Sequence, residues 1–169
     1  IGYEQKLNGQ PFFLTGSWDT LDVKGITVYL PKEASEFEKQ RANELGTLMA
    51  EASAFTANLL GTAPNIPMRI IAVRRGAGFA DSGTILLDYA AFRRQKIDSQ
   101  TAMTIADSVA KIWIGNAKLV RGEGYGVIHE GLTRFIATQF IEKQFGKSSA
   151  DAERFRQLTA HATVARNDA

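Results

Sequence analysis

Four short runs in the first half of the chain have the composition of β-strands. They carry apolar residues together with β-branched or aromatic ones, and each adjoins a glycine or proline, residues that commonly mark strand ends and turns. The runs cover residues 11–14, 26–30, 67–74 and 84–87. We therefore predict four strands in this part of the chain.

Longer segments repeat apolar residues three or four positions apart, which is helical spacing. We predict helices over 34–60, 99–114, about 127–145 and about 149–164, and a short helix after Asp88. Stop signals follow the first three long segments, at Gly61, at Gly115-Asn116 and at Gly146.

The apolar positions of three helices form stripes. We expect the stripe of the helix over 99–114 to be buried. The carboxylate of Asp98 or the hydroxyl of Ser99 can cap this helix. The stripes are Leu45, Leu48, Met49, Ala52, Phe55 and Leu59 in the first helix, Ala102, Ile105, Ala106, Val109, Ile112 and Trp113 in the second, and Ala152, Phe155, Leu158 and Ala162 in the last.

This order of elements favours an α+β domain, with a small N-terminal sheet followed by a helical half. The 169 residues are enough for one domain with a sizeable core, and neither an internal repeat nor a low-complexity linker divides them. We therefore predict a single domain over 1–169. Because the chain begins at Ile1, we expect it to be a fragment of a longer protein.

Charge and composition narrow the function classes. Apolar residues make up 44% of the chain, charged residues 22%, and the net charge is only +2, without the clustered basic face of a nucleic-acid-binding protein. Cysteine is absent, so disulfides and thiolate metal sites are excluded. No apolar stretch is long enough to span a membrane. The compartment stays open, and a secreted, periplasmic or membrane-attached parent protein is compatible with the sequence.

Two segments together resemble the M1 family of zinc aminopeptidases, which belong to the gluzincin group. The first runs from Asp107 to Asn116 and contains Trp113 and Gly115, and the second is Glu130-Gly131. In that family a helix carries His-Glu-x-x-His followed by a tryptophan and Gly-Asn, and a second helix carries Glu-Gly. The family has eighteen residues between the second histidine and that glutamate, and eighteen residues also separate Lys111 from Glu130.

The resemblance extends upstream and covers most of the chain. The glycine-rich segment before the predicted strand at 84–87 lies where the family has its Gly-x-Met-Glu-Asn substrate strand, although it has neither the methionine nor the glutamate. The corresponding residues are Gly76, Ala77, Gly78, Phe79, Ala80 and Asp81. The resemblance implies a thermolysin-like catalytic domain, a peptide as partner and, if the family activity is retained, zinc as cofactor.

The residues that carry the family's chemistry are replaced in this chain. Asp107 and Lys111 stand at the two histidine positions, Ser108 stands at the position of the general base, and only the third ligand, Glu130, is retained. A hydrolytic zinc site needs three protein ligands and an open position for water. A protonated lysine cannot bind zinc, and serine is a poor base at neutral pH. We therefore expect no bound metal, and we assign no catalytic residue.

Several interpretations of these positions remain open. The ammonium of Lys111 could occupy the place of the metal and pair with Asp107 and Glu130; alternatively, Asp107 and Lys111 form only a solvated surface pair, or a metal binds after all. Ser108 and Lys111 could also form a nucleophile and base pair. We do not expect His129 to join Glu130 as a ligand of one metal, because neighbouring helical side chains point in different directions; a surface or packed histidine is the expected role.

Three functions follow from these interpretations. The first is a non-catalytic M1 aminopeptidase-like domain that keeps a peptide-binding or scaffold role. The second is an active zinc-dependent metallopeptidase, as the family would suggest. The third is a purely structural interaction module. The family's transition-state tyrosine lies well downstream of the zinc glutamate, whereas the last tyrosine of this sequence is Tyr125.

Overall fold

The computed structural model of the protein describes residues 14–75, 77–78, 80–81, 83–114 and 122–167, with backbone alone at His161 and at 163–167. The described strands lie in the first half of the chain together with α1, and only helices follow β5, so the predicted α+β class is confirmed. The elements are β1 (Trp18–Val23), β2 (Ile26–Pro31), α1 (Glu36–Leu60), β3 (Met68–Val73), β4 (Ala80–Asp81), β5 (Thr84–Asp88), α2 (Ala90–Arg93), α3 (Ser99–Ile114), a π-helical turn (Val127–Leu132), α4 (Thr133–Phe145) and α5 (Lys147–Asn167).

The described strands form one mixed sheet in the order β1-β2-β3-β5-β4. The three inner strands run parallel to one another, and β1 and β4 pair antiparallel at the two edges. The predicted strands at 26–30, 67–74 and 84–87 are confirmed as β2, β3 and β5. The predicted run at 11–14 lies outside the described residues except for Leu14.

The sequence analysis missed strand β1. Its residues are mostly exposed or half-buried, and only Val23 is buried, so its apolar signal is weak. A tight turn at Lys24 and Gly25, both with positive φ, joins it to β2. This edge strand therefore depends on pairing with β2 and not on its own apolar pattern.

The turn that leads from β4 to β5 requires a glycine. Gly83 has φ of +82°, and a Cβ at this position would lie 2.6 Å from the carbonyl oxygen of Pro67. The Gly83 carbonyl in turn accepts the N–H of Arg69 at 2.8 Å. The close approach of these two segments holds β4 at the sheet edge beside α3.

Helix α3 is the centre of the helical half, since it packs against both α1 and α4. Its predicted stripe is buried throughout, and Asp98 caps it by accepting the N–H of Thr101 at 2.7 Å, so both predictions are confirmed. The indole N–H of Trp113 donates to the carbonyl of Gly61, 3.2 Å away, where α1 ends.

The predicted apolar stripes of the first and last helices differ from the structure. On α1, Leu45, Leu48, Met49 and Ala52 are buried, but Leu59 is 55% exposed. On α5 the predicted stripe of Ala152, Phe155, Leu158 and Ala162 is exposed, and the face that packs on α4 carries Ala150 and Glu153. Helical spacing shows which residues share a face; the neighbouring elements decide which face is covered.

None of the described helices combines the length and apolar character needed to cross a membrane.

Arg41 joins α1 to the segment that precedes α3. It is only 6% exposed. Its Nε donates to the carbonyl of Arg94 at 3.1 Å, and its other guanidinium nitrogens pair with the carbonyl of Gln95 and the carboxylate of Glu44. A buried guanidinium is stabilising only while its donors are satisfied, and here two backbone carbonyls and a carboxylate accept them.

We expect Arg41→Met to lower the free energy of unfolding by about 1–3 kcal/mol, because it leaves two backbone carbonyls without their donor. Urea denaturation followed by circular dichroism measures this. Arg74→Met is the matched control, since Arg74 is 75% exposed and 3.6 Å from Glu33, and its loss should cost less than about 0.5 kcal/mol. Equal effects of the two substitutions would contradict the role assigned to Arg41.

Candidate functional site

The ammonium of Lys111 lies between two carboxylates. Its Nζ is 2.9 Å from Oδ2 of Asp107 and also 2.9 Å from Oε2 of Glu130. Asp107 precedes Lys111 by one turn of α3, whereas Glu130 lies on the π-helical turn. Among the interpretations that the sequence left open, the structure has the pairing of Lys111 with both carboxylates. This pairing links two elements that are not adjacent in the sequence.

Local geometry explains why Asp107 and Lys111 meet. Residues four apart on an α-helix lie on the same face, so the short carboxylate and the long ammonium arm converge. The side chains of Asp107 and Lys111 are 14% and 24% exposed, which is well short of a solvated surface pair. Water therefore screens this pair less than it screens an exposed one.

Glu130 and His129 lie on a helical segment that the sequence analysis predicted to be continuous α-helix. The structure has a π-helical turn over Val127–Leu132, a rare conformation that is often found at functional sites. His129 Nδ1 lies 3.0 Å from Oε1 of Glu130, and the ring of Tyr125 stacks on the His129 ring at 5.2 Å. The flexible carboxylate of Glu130 thus reaches both Lys111 and His129. The expectation that His129 and Glu130 do not bind one metal together stays a prediction.

The surroundings of Lys111 and Glu130 favour the charged form of each side chain. Burial by itself would lower the pKa of Lys111, but hydrogen bonds to Glu130 and Asp107 outweigh burial and hold the pKa above its ordinary value. The hydrogen bond from Lys111 lowers the pKa of Glu130 below its ordinary value, against a smaller opposing effect of burial. Lys111 therefore stays an ammonium near neutral pH.

Ser108 does not have the geometry of an activated nucleophile. Its Oγ donates to the backbone carbonyl of Thr104 at 2.7 Å, and the residue is buried. Lys111, the only base considered for it, is protonated and held by two carboxylates. The arrangement gives no support to a Ser108–Lys111 pair.

A cavity of about 340 Å³ adjoins Lys111. Gly78 and Ala80 line it from the sheet edge, and α3 contributes Gln100, Met103, Thr104, Asp107, Ser108 and Lys111. The remaining lining residues are Arg134, Glu153 and Arg156 from α4 and α5. The volume lies within the range of small-molecule sites.

The predicted substrate segment is only partly described. Gly76 and Phe79 lie outside the described residues, as do Gly115 and Asn116 of the resemblance. Ala77 is exposed, Gly78 donates its N–H to the carbonyl of Leu86 at 2.9 Å, and Ala80 and Asp81 form β4. Of these residues, Gly78 and Ala80 reach the cavity.

The sequence analysis missed Arg134, Glu153 and Arg156. Arg134 follows Glu130 by four positions, a helical spacing that could have indicated it. Glu153 and Arg156 come from α5, whose inward face was not the predicted one. Glu153 and Arg156 are placed by the packing of α5 on α4, and Arg134 is placed by the packing of α4 on α3.

The residues at this site do not fit a hydrolytic zinc ion. The positions that the resemblance equates with two histidines hold a carboxylate and an ammonium that bind each other. The ammonium also binds the carboxylate of Glu130, the residue that the resemblance equates with the third ligand. Within the described part of the chain, no group of three or more histidine, aspartate or glutamate side chains could hold a metal ion.

Comparison of the chain with protein-family models found no match, and searches of curated proteins and of solved structures found none either.

We expect Lys111→Met to lower the free energy of unfolding at pH 7 by about 1–2 kcal/mol, between the values for exposed and buried pairs, because two carboxylates lose their shared cation. Lys39→Met is the matched control: Lys39 is 44% exposed and pairs with Glu36, which is 89% exposed. Chemical denaturation of both variants measures the difference, and equal losses would contradict a special role for Lys111.

The same variants allow a test of pH dependence. Because the folded pKa of Glu130 is lowered, its contribution is complete above the ordinary glutamate pKa of about 4.3 and is lost as pH falls through the folded pKa. Because the pKa of Lys111 is raised, its contribution is complete below about 10.4 and is lost as pH rises through the folded pKa. The stability difference between wild type and Lys111→Met should therefore be largest between about pH 5 and pH 10. A difference that does not change with pH between about 3 and about 7 would contradict the ion pair.

Proposed function

We propose that this chain is an M1 aminopeptidase-like domain of thermolysin-like fold that binds peptide without hydrolysing it. The observation that carries the proposal is the position of the Lys111 ammonium, 2.9 Å from both Asp107 and Glu130. In the resemblance, these three residues correspond to two zinc-binding histidines and the zinc-binding glutamate. The Lys111 ammonium, held by two carboxylates, thus stands where the family has a zinc ion held by protein ligands.

The ammonium at the position that the resemblance assigns to zinc supports a site without hydrolytic activity. A hydrolytic zinc ion needs neutral imidazoles and a carboxylate as ligands, and a base to take the proton from its water. Here the cation is a permanent part of the chain, and its donors are used in hydrogen bonds to carboxylates. Ser108, at the position of the base, donates to a backbone carbonyl. The chain thus retains charge at the centre of the site without a means of activating water.

The sheet edge supports the peptide-binding part of the proposal. The short strand β4 lies at the end of the described sheet, antiparallel to β5, within the segment that the resemblance identifies with the substrate strand. It lies beside α3, and the cavity opens between them. An extended peptide can add to such an edge through backbone hydrogen bonds, while a neighbouring cavity accepts a terminus or side chain.

A second candidate is the structural interaction module, and exposed apolar side chains favour it. Val127 is 76% exposed, Phe155 70%, Leu158 67% and Phe135 59%. Large apolar side chains commonly mark a contact surface where they form one exposed patch. A peptide panel separates the two candidates: failure of every peptide to bind, in a sample that is monomeric and folded, would favour the module.

Restoring the family residues tests the ancestry of the site. We expect the triple variant Asp107→His, Ser108→Glu, Lys111→His to bind zinc stoichiometrically, because two histidines four apart on α3 would face Glu130. Metal content after dialysis, measured by mass spectrometry, checks this. The matched control adds Glu130→Gln to the triple variant and should lose most of the zinc. A folded triple variant without zinc would contradict the assignment of the metal positions.

The absence of catalysis is tested on the wild-type protein. We expect peptides to bind and to be recovered intact after incubation with zinc, as monitored by calorimetry and by mass spectrometry of the peptide. Wild-type protein that contains stoichiometric zinc and releases N-terminal residues would overturn the proposal.

A further inference from the structure

The cavity beside Lys111 has more positive than negative side chains in its wall. Among the described residues that line it, three are cations and two are carboxylates, namely Lys111, Arg134, Arg156, Asp107 and Glu153. An excess of positive charge in the wall of a cavity favours an anionic ligand over a cationic one. Which of these charges a ligand can reach depends on how far each side chain is exposed.

The two carboxylates of the lining offer a ligand little accessible negative charge. The side chain of Asp107 is 14% exposed; its Oδ2 binds Lys111, and its Oδ1 is buried. The side chain of Glu153 is 7% exposed. Arg156 Nη2 lies 3.0 Å from its Oε2, and the amide of Gln157 donates to its Oε1 at 3.1 Å. Both carboxylates are thus largely covered and already in contact with donors of this chain.

The two arginines are the most accessible charges of this lining. Their side chains are both 49% exposed, whereas that of Lys111 is 24% exposed and held by two carboxylates. Arg134 Nη1 lies 3.9 Å from Oε1 of Glu153, which is too far for a hydrogen bond. Because a guanidinium has several N–H donors, Arg134 and Arg156 keep donors that Glu153 does not use.

Glu153 also keeps the two arginines near each other, since each contacts one oxygen of the same carboxylate. Arg134 approaches Oε1, and Arg156 approaches Oε2. Two cations around one carboxylate leave a single positive charge uncompensated. A second carboxylate, supplied by a ligand, would balance that charge and accept charge-assisted hydrogen bonds from the guanidinium groups.

The sheet edge brings a peptide to the same cavity. Gly78 and Ala80 line it, and Ala80 belongs to the edge strand β4. A peptide that adds to this edge therefore passes the cavity and can place a carboxylate in it. The volume of about 340 Å³ is large enough for a terminal residue or a side chain, and not only for an ion.

We propose that this cavity binds a carboxylate group of a peptide through the guanidinium groups of Arg134 and Arg156. The carboxylate is either the C-terminus of the peptide or an acidic side chain, because both present the same two oxygens to the arginines. This inference rests on the proposed function and deepens it, since it names the chemical group that the site selects.

Calorimetric titration with acetylated tripeptides tests the inference. We expect a peptide with a carboxylate to bind about tenfold or more tightly than neutral acetyl-Ala-Ala-Ala-amide. Acetyl-Ala-Ala-Ala carries its carboxylate at the C-terminus, and acetyl-Ala-Glu-Ala-amide carries it on a side chain, so whichever binds tightly identifies the source. Acetyl-Ala-Lys-Ala-amide is the cationic control and should bind no more tightly than the neutral peptide. Equal affinity for the carboxylate-bearing and neutral peptides would overturn the inference.

Two variants test the assignment to the arginines. Arg134→Gln and Arg156→Gln should each remove most of the preference for a carboxylate. Arg74→Gln is the matched control and should leave the preference unchanged, since Arg74 is 75% exposed, lies 3.6 Å from Glu33 and is not among the residues that line the cavity.

Circular dichroism checks that each variant is folded. If Arg156→Gln does not fold, Arg134→Gln still decides the matter, because the contact of Arg134 with Glu153 is loose and its loss leaves Glu153 with other donors. A folded Arg134→Gln variant that keeps the full preference for a carboxylate would overturn the inference.

The outcomes also separate this inference from the proposed function. A neutral peptide that binds as tightly as a carboxylate-bearing one supports the peptide-binding function and overturns the carboxylate site. A carboxylate-bearing peptide that binds through the arginines and is hydrolysed supports the carboxylate site and overturns the non-catalytic function. Failure of every peptide to bind the folded protein at millimolar concentration overturns both.

Discussion

The contact of the Lys111 ammonium with two carboxylates is the interaction on which the candidate site depends. It joins α3, which is anchored in the core by its buried stripe, to the π-helical turn that leads into α4. Glu130 is 54% exposed, so its hydrogen bond to Lys111 is what orients its carboxylate towards α3. Asp107 and Lys111 are more buried, and their mutual contact compensates part of the cost of removing both charges from water.

Two clusters of charged side chains have the same arrangement. In each, one charged group is shared between two groups of the opposite sign: Lys111 between Asp107 and Glu130, and Glu153 between Arg134 and Arg156. The side chains of Lys111 and Glu153 are only 24% and 7% exposed, and contact with two partners compensates part of the cost of removing their charges from water.

Much of the fold and part of the site could be predicted from the sequence. Strands β2, β3 and β5, helices α1 and α3, and the Asp98 cap have strong local signals, and the i to i+4 pairing of Asp107 with Lys111 follows from helix geometry. Strand β1 could not be predicted, because an exposed edge strand has little apolar pattern of its own. The exposed stripe of α5 shows the converse, since a clear apolar pattern does not guarantee a covering partner.

By itself, the sequence determined the α+β order of elements and the spacing that places Asp107 and Lys111 on one helical face. Only the tertiary structure decided that Glu130 and His129 reach the same point, since the π-helical turn positions them relative to α3. It also decided that Arg134, Glu153 and Arg156 face the cavity. The physical reason is that helical periodicity acts over a few residues, whereas convergence of side chains from separate helices depends on how those helices pack.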